Sequence, residues 1–97
     1  MTEIINISDK NRFEYRVDNH TAAADYILTK DGHIVLTHTE VPKSMGGQGI
    51  GSKLAKVAFS YAKENKLKVM PLCPFMASFV RRHRDEYESI LAPGFNV

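Results

Sequence analysis

Hydrophobic residues in the first half of the chain occur in short runs or at every second position. Residues 4–7 form a short apolar run, and apolar and charged residues alternate through residues 12–18. Two β-branched, apolar runs follow at residues 26–29 and 34–37. A period of two is typical of strands with one buried face. The pattern therefore predicts an antiparallel meander of about four strands.

Two turn signals separate these predicted strands. Asp18-Asn19-His20 follows the second strand, and Asp31-Gly32 lies between the last two. Asp-Gly between two apolar runs favours a type I′ hairpin, in which both central residues have positive φ.

The hydrophobic period lengthens in the second half. From Ile50 to Tyr61 the apolar residues are spaced by three or four, which predicts an amphipathic helix ending near Asn65. Residues 67–72 predict a short strand, and residues 75–91 predict a second helix. The inward positions of that second helix are predicted to be Phe75, Phe79, His83 and Leu91. A helical crossover between two strands normally makes them parallel and right-handed, so we expect a parallel pair at one side of the sheet.

Four glycines, Gly46, Gly47, Gly49 and Gly51, lie where the fourth strand leads into the first helix. Glycine allows positive φ and lets a ligand approach the backbone closely. The first turn of a helix adds unpaired N–H groups and a positive dipole end, which suit phosphate. A merely flexible loop would not need glycines that continue up to a well-patterned helix. The loop therefore predicts a phosphate-binding site.

Two common phosphate motifs fail in this loop. The P-loop ends in Gly-Lys-Ser/Thr, whereas Ser52-Lys53 has the reverse order. The G-x-G-x-x-G fingerprint finds Leu54 or Ser52 where it needs its last glycine, and its fold begins with parallel strands.

A third motif, [QR]-x-x-G-x-[GA], matches residues 46–51 except that Gly46 replaces Gln or Arg. His-Thr-Glu-Val-Pro precedes the loop, and Leu-Cys-Pro-Phe follows the next strand. With these flanking segments, the sequence resembles a short, single-domain bacterial GNAT acetyltransferase over roughly residues 12–91. The resemblance implies an α+β fold over one domain, residues 1–97. It implies a mixed sheet whose parallel strands splay apart around the pantetheine arm of acetyl-CoA, followed by a C-terminal helix.

The resemblance also implies which residues bind acetyl-CoA. Backbone N–H groups of the loop would hold the pyrophosphate, and a backbone N–H near Val41 would polarise the thioester carbonyl. The implied loop residues are Gly46, Gly47, Gln48, Gly49, Ile50, Gly51 and Ser52.

Three side chains are candidates for the chemistry. Strict alternation places Ile34, Leu36, His38 and Glu40 on one face of the fourth strand. His38 lies late in that strand and Cys73 just past the end of its parallel neighbour, so we expect the two to meet. His38 is the predicted general base, with Glu40 as the second candidate. Cys73 would carry the acyl group or line the thiol pocket, and the alternative is an ordinary core cysteine.

Composition limits the remaining possibilities. The 97 residues suit one domain, and a net charge of +2 is too small to indicate nucleic-acid binding. Residues 81–84 are basic, but acidic residues follow at once, so a solvated helix face is expected. The single cysteine excludes an internal disulfide, and no metal site is expected. Without a leader or an apolar run of roughly 20 residues, we expect a cytoplasmic monomer that does not bind membranes.

The glycine loop suits a phosphate-bearing ligand, and the resemblance to GNAT proteins implies an N-acetyltransferase that transfers acetyl from acetyl-CoA to an amine. Only residues 8–11 separate the first two strands, where larger members of the GNAT family insert two helices that cover the acceptor. The resemblance therefore implies an open acceptor side that suits a protein, peptide or other bulky amine. The alternatives are a non-catalytic acyl-CoA-binding module and, more weakly, an RNA adaptor that uses the basic run.

Overall fold

The elements follow the order that the pattern predicts. A computed structural model describes residues 4–17 and 19–94, so Asp18 of the first predicted turn lies outside the described residues. The strands are β1 (Ile4–Ile7), β2 (Arg12–Val17), β3 (His20–Leu28), β4 (His33–Glu40) and β5 (Lys68–Pro71). The helices are α1 (Ile50–Glu64), α2 (Pro74–Arg82) and α3 (Arg84–Tyr87), with single 3₁₀ turns at residues 8–10, 43–45 and 88–90.

The sheet has five strands in the order β1-β2-β3-β4-β5. The first four strands are antiparallel, and β5 runs parallel to β4 with Ile34 opposite Val69. The connection through α1 makes this last pair parallel, as predicted. The α+β class and the mixed sheet are confirmed.

The helices pack as a layer on one face of the sheet. Phe59 of α1 stacks on Phe79 of α2 at 5.8 Å between ring centroids and on Tyr87 of α3 at 4.7 Å. The sheet contributes buried side chains that include Phe13 and Leu36. Burial of these rings and aliphatic groups is the main source of the fold's stability.

The predicted second helix over residues 75–91 is wrong as a single helix. It is broken at His83, whose backbone is not helical (φ −133°, ψ 41°). The break turns the chain back, so that Tyr87 reaches Phe59 and Leu91 pairs with Val69 at the edge of β5. A straight helix of this length would extend for about 25 Å and would leave those contacts.

The β3–β4 turn is not type I′. Gly32 has φ +88°, but Asp31 is not among the residues with positive φ. The N–H of Thr29 donates to the carbonyl of His33 at 2.9 Å, and Asp31 accepts hydrogen bonds from the side chains of Thr29 and His33. These bonds favour a three-residue connection with one left-handed glycine, which is the next most common hairpin type.

A β-bulge in β4 changes which side chains share a face. Asp25 pairs with His38 while the next residue, Tyr26, pairs with Leu36, so Thr37 is an extra residue with no register position opposite it on β3. A bulge shifts the alternation by one residue. The prediction that Leu36 and His38 share a face is therefore wrong, because Thr39 takes the place on the helix side.

The face opposite the helices carries a row of ion pairs. The guanidinium of Arg12 lies 2.8 Å from Asp25 and 3.4 Å from Glu14, and Arg16 lies 2.6 Å from Glu14. The side chain of Glu14 is only 5% exposed between the two arginines. Burial raises the pKa of the Glu14 carboxyl, but hydrogen bonds from Arg16 and Arg12 outweigh it and lower the pKa below its usual value.

Candidate active site

The glycine loop has the backbone that a ligand cradle needs. Gly47 has φ +77°, and Gly49, the residue that caps the start of α1, has φ +71°. A Cβ atom added at either position would meet nothing within 4 Å. Glycine is therefore needed there for the left-handed backbone, and open space lies in front of both residues.

The first turn of α1 is open to an anion. No described side chain caps this 15-residue helix, and its first turn contains no acidic residue. The N–H groups of Ile50, Gly51 and Ser52 precede the first intrahelical donor, the N–H of Lys53, which donates to the carbonyl of Gly49 at 3.1 Å. The buried side chain of Ile50 anchors the turn. Unpaired donors and the positive dipole end together favour a phosphate at this position.

A cavity of about 210 Å³ lies in front of this turn. Its lining residues are Val41, Met45, Gly46, Gly47, Gly49, Ile50, Gly51, Ser52 and Phe75. It brings together all the predicted loop residues except Gln48, which is exposed nearby, and it includes Val41.

Phe75 is a lining residue that the sequence argument assigned only to packing. A Cβ atom on Gly51 would lie 2.6 Å from Cζ of Phe75, so the ring sits directly against the glycine backbone. In the sequence, the signal for this contact was Gly51 itself, because a glycine inside a helix indicates close approach by another group. The identity of that group depends on how α2 folds back.

The parallel strands part at Pro71. Leu36 is the last residue of β4 that pairs with β5, and β4 continues to Glu40 without that partner. The N–H of Cys73 still donates to the carbonyl of Leu36 at 3.0 Å, which fixes the start of α2 beside the opening. The absence of an N–H at Pro71 suits the point where the ladder ends.

Cys73 lies beside this opening and is only 5% exposed. Its Sγ lies 3.4 Å from Oγ1 of Thr39. Burial raises the pKa of the thiol. The Thr39 hydroxyl and backbone N–H groups of Met76, Phe75 and Thr39 outweigh burial, so the pKa is lowered below its usual value. Although Cys73 is the residue that precedes the first turn of α2, its thiol does not form a side-chain capping hydrogen bond on that helix.

His38 and Glu40 do not join Cys73. Thr39 pairs with the buried Ala24 and reaches the sulfur, so its neighbours His38 and Glu40 point to the opposite face, where both are exposed. His38 lies opposite Asp25 on that face. The bulge at Thr37 thus places the two base candidates on one side of the sheet and the thiol on the other.

The contacts of Tyr87 and of the basic residues 81–84 indicate structural roles. Tyr87 is buried on Phe59, and burial raises the pKa of its phenol. Residues 81–86 line a surface depression of about 340 Å³ that contains acidic as well as basic side chains. Among residues 4–17 and 19–94, no group of three His, Cys, Asp or Glu side chains is arranged to hold a metal ion. No helix within those same ranges has the length and apolar character to cross a membrane.

Comparison with known proteins places this geometry in a family. A model of GCN5-related N-acetyltransferases matches residues 12–90. An NMR solution structure of a GCN5-like protein from Staphylococcus aureus, provisionally assigned as an N-acetyltransferase, is 32% identical and superimposes with a TM-score of 0.70. That match covers 93% of this chain and 87% of the other. A search of curated proteins gave no match. The glycine cradle at the start of α1 and these matches show that the chain belongs to the GCN5-related N-acetyltransferase family.

Proposed function

We propose that this protein transfers the acetyl group of acetyl-CoA to an amine on an exposed or bulky acceptor. The supporting observation is the cavity at the start of α1, which lies next to the point where β4 and β5 part. Two of its lining residues, Val41 and Phe75, come two residues after Thr39 and Cys73 respectively. A ligand that fills the cavity therefore lies close to Thr39 through the end of β4 and close to Cys73 through the start of α2.

The loop residues hold the pyrophosphate. The N–H groups at the start of α1 donate to its oxygens, and the left-handed glycines keep the approach clear. Gln48 is exposed beside them and has an amide with which to contact the same phosphates. The missing Gln or Arg at Gly46 removes one side-chain contact but no backbone donor.

The acceptor nitrogen attacks the thioester carbonyl directly. The N–H of Val41 polarises the carbonyl oxygen, and CoA thiolate leaves when the tetrahedral intermediate collapses. The proton lost by the amine passes to His38 or Glu40, directly or through water. Cys73 lines the pocket of the CoA sulfur without forming an acyl-enzyme.

The acceptor reaches the reaction from the face opposite the helices. His38 and Glu40 are exposed on that face, and the connection between β1 and β2 is a single 3₁₀ turn over residues 8–10. An exposed base suits an amine carried by a protein, a peptide or another bulky molecule. We also expect the protein to act in the cytoplasm.

A binding titration with matched glycine variants tests the cradle. Gly49→Val should abolish acetyl-CoA binding, because a β-branched residue is strained at φ +71° and its side chain fills the ligand space. Gly32→Val is the control, since Gly32 has φ +88° and equally open surroundings but lies in the distant β3–β4 turn. Equal affinity in the two variants, or no binding by the wild type at millimolar acetyl-CoA, would contradict the proposal.

The role of Cys73 is tested by mass spectrometry and alkylation. Bound CoA should slow alkylation of Cys73, and incubation with acetyl-CoA without an acceptor should add no acetyl group. An adduct that disappears in Cys73→Ala would instead assign Cys73 as an acyl carrier. Alkylation that is slow with or without CoA would make it a core residue.

A non-catalytic acyl-CoA-binding module is the second candidate. It is favoured by the separation of His38 and Glu40 from Cys73 on opposite faces of the sheet. Such a module binds acetyl-CoA in the same cradle but consumes none when it is offered a panel of amines and peptides. Acetyl-CoA consumption that is lost in the double variant His38→Ala/Glu40→Gln would decide for the enzyme.

A further inference from the structure

We infer that Thr39 is a positioning residue for Cys73, and that the bulge at Thr37 is what brings its hydroxyl to the sulfur. The thiol orientation and the ease with which it ionises are then set by a neutral hydroxyl group. The functional role of this arrangement rests on the proposed function, in which the Cys73 sulfur is held in a fixed position beside the thioester. The contact itself does not depend on that function.

The contact is specific in its atoms. Sγ of Cys73 donates to Oγ1 of Thr39 across 3.4 Å. A hydroxyl both donates and accepts, and its hydrogen rotates freely. When the thiol loses its proton, the Thr39 O–H turns and donates to the sulfur. The same pair therefore stays hydrogen-bonded in both protonation states, and the ionised state gains the stronger, charge-assisted bond.

The bulge decides which side chain meets the sulfur. In an unbroken strand, His38 would share the face of Leu36, and an imidazole would stand where Thr39 now stands. With Thr37 inserted, Thr39 pairs with the buried Ala24 and His38 lies on the other face. The structure therefore replaces a Cys–His pair with a Cys–Thr pair.

Charged groups of the surrounding elements are directed away from the thiol. On β4 and β3 the nearest are His38, Glu40 and Asp25, all on the face opposite the helices, while His20 contacts Ser44 and His33 contacts Asp31. On α1 and α2 they are Lys53, Lys56, Lys63, Glu64, Arg81 and Arg82, all exposed. The backbone N–H groups of Phe75 and Met76 assist the hydroxyl.

The rate of alkylation by iodoacetamide as a function of pH tests this inference without acetyl-CoA. The wild-type rate should reach half its maximum at a lower pH than that of an unperturbed cysteine thiol, because the reactive species is the thiolate and the pKa of Cys73 is lowered. Thr39→Val keeps the shape but removes the hydroxyl, and should move the midpoint up by about 0.5–1 pH unit. Thr39→Ser should restore the wild-type midpoint.

Two further variants separate the contact from general effects. Thr21→Val removes an exposed threonine hydroxyl on β3, on the face of the sheet opposite the helices, and should leave the midpoint unchanged. His38→Ala should also leave it unchanged, since the imidazole faces away. A midpoint that stays in place in Thr39→Val, or one that moves in His38→Ala, would overturn the inference.

Folding and function are checked separately. If Thr39→Val does not give a folded spectrum, the Cβ chemical shift of Cys73 as a function of pH in Thr39→Ser and Thr39→Ala provides the same midpoint. A midpoint that is equal in Thr39→Ser and Thr39→Ala would overturn the inference. Failure of the wild type to bind acetyl-CoA would overturn the proposed function and leave the Thr39 result standing.

Discussion

Gly49 and Gly51 are two residues apart and act on the cavity for different physical reasons. Gly49 has a left-handed backbone with open space where its Cβ would lie. Gly51 is ordinary α-helix, but Phe75 occupies the space of a Cβ atom. In a sequence motif the two residues are the same letter, so the motif does not distinguish their roles. Only the structure distinguishes a residue needed for its φ angle from one needed for its small size.

Gly51→Ala should weaken acetyl-CoA binding several-fold with little loss of stability. The new methyl group forces the Phe75 ring to move within the cavity, while alanine gains about 1 kcal/mol of helix propensity over glycine. The measurement is a calorimetric titration together with thermal unfolding. Gly51→Ala combined with Phe75→Leu should recover part of the affinity, because the smaller side chain relieves the contact. An unchanged Kd in Gly51→Ala would show that the ring does not shape the ligand site.

At the scale of elements, the bulge in β4 determines which side chains reach Cys73, and the break at His83 completes the core. The bulge turns Thr39 toward Cys73, and the break folds α3 back so that Tyr87 covers Phe59. Each departs from a regular pattern by a single residue. Local periodicity averages over several residues and cannot detect such a change.

The ion pairs on the open face of the sheet give stability a defined pH dependence. The pKa of Glu14 is lowered in the folded protein. Its contribution to the free energy of unfolding is therefore fully present above the pKa of a glutamate in the unfolded chain, about 4.3. That contribution is lost as the pH falls through the lower, folded-state pKa. Glu14→Gln should cost about 1–2 kcal/mol at pH 7 and flatten the loss of stability below pH 4.3.

Urea unfolding between pH 7 and pH 3 measures this effect. Glu64→Gln, on the exposed end of α1, is the control and should change stability little at any pH. If the difference between Glu14→Gln and the wild type stayed constant down to pH 3, Glu14 would not be the group that titrates.

At the scale of the whole molecule, helices pack on one face of the sheet and leave the other accessible. The exposed face carries Ile5 and Ile27, at 56% and 52% exposure, together with the charged row around Glu14. An accessible sheet face with a base candidate on it suits a large acceptor better than an enclosed small molecule.

Substrate size should therefore control the rate. We expect lysine-containing peptides and protein amines to give a higher kcat/KM than free small amines of the same basicity. The measurement is release of CoA thiol across a panel of amines. A small amine that reacts faster than every peptide would remove the argument for a bulky acceptor.

Nucleic acid should not bind at physiological salt. The basic residues near the α2–α3 break share their depression with Asp85 and Glu86, and the net charge of the chain is only +2. Binding that depended on phosphate contacts would weaken steeply with salt. Fluorescence anisotropy with labelled RNA and DNA is the measurement, and submicromolar affinity at physiological salt that fell in Arg81→Ala or Arg82→Ala would reverse this expectation.

Much of the architecture follows from local patterns. The meander, the crossover helix and the parallel pair could be predicted because the period of hydrophobic residues changes from two to 3.6 at the glycine loop. The loop itself could be predicted because positive φ angles and a helix start have strong local signals. The prediction that Val41 and the loop residues bind acetyl-CoA relied on the resemblance to a family. The cavity is lined by all of these residues except Gln48.

The chemistry beside the loop was decided by the tertiary structure. Alternation predicted that His38 would meet Cys73, whereas one extra residue in β4, Thr37, places Thr39 there instead. Phe75 became a lining residue because α2 begins against Gly51. Such contacts depend on strand register and helix packing, which join residues far apart in the chain. The sequence by itself therefore determined the type of elements and the glycine loop at the start of α1, while the fold determined which side chains surround the thiol.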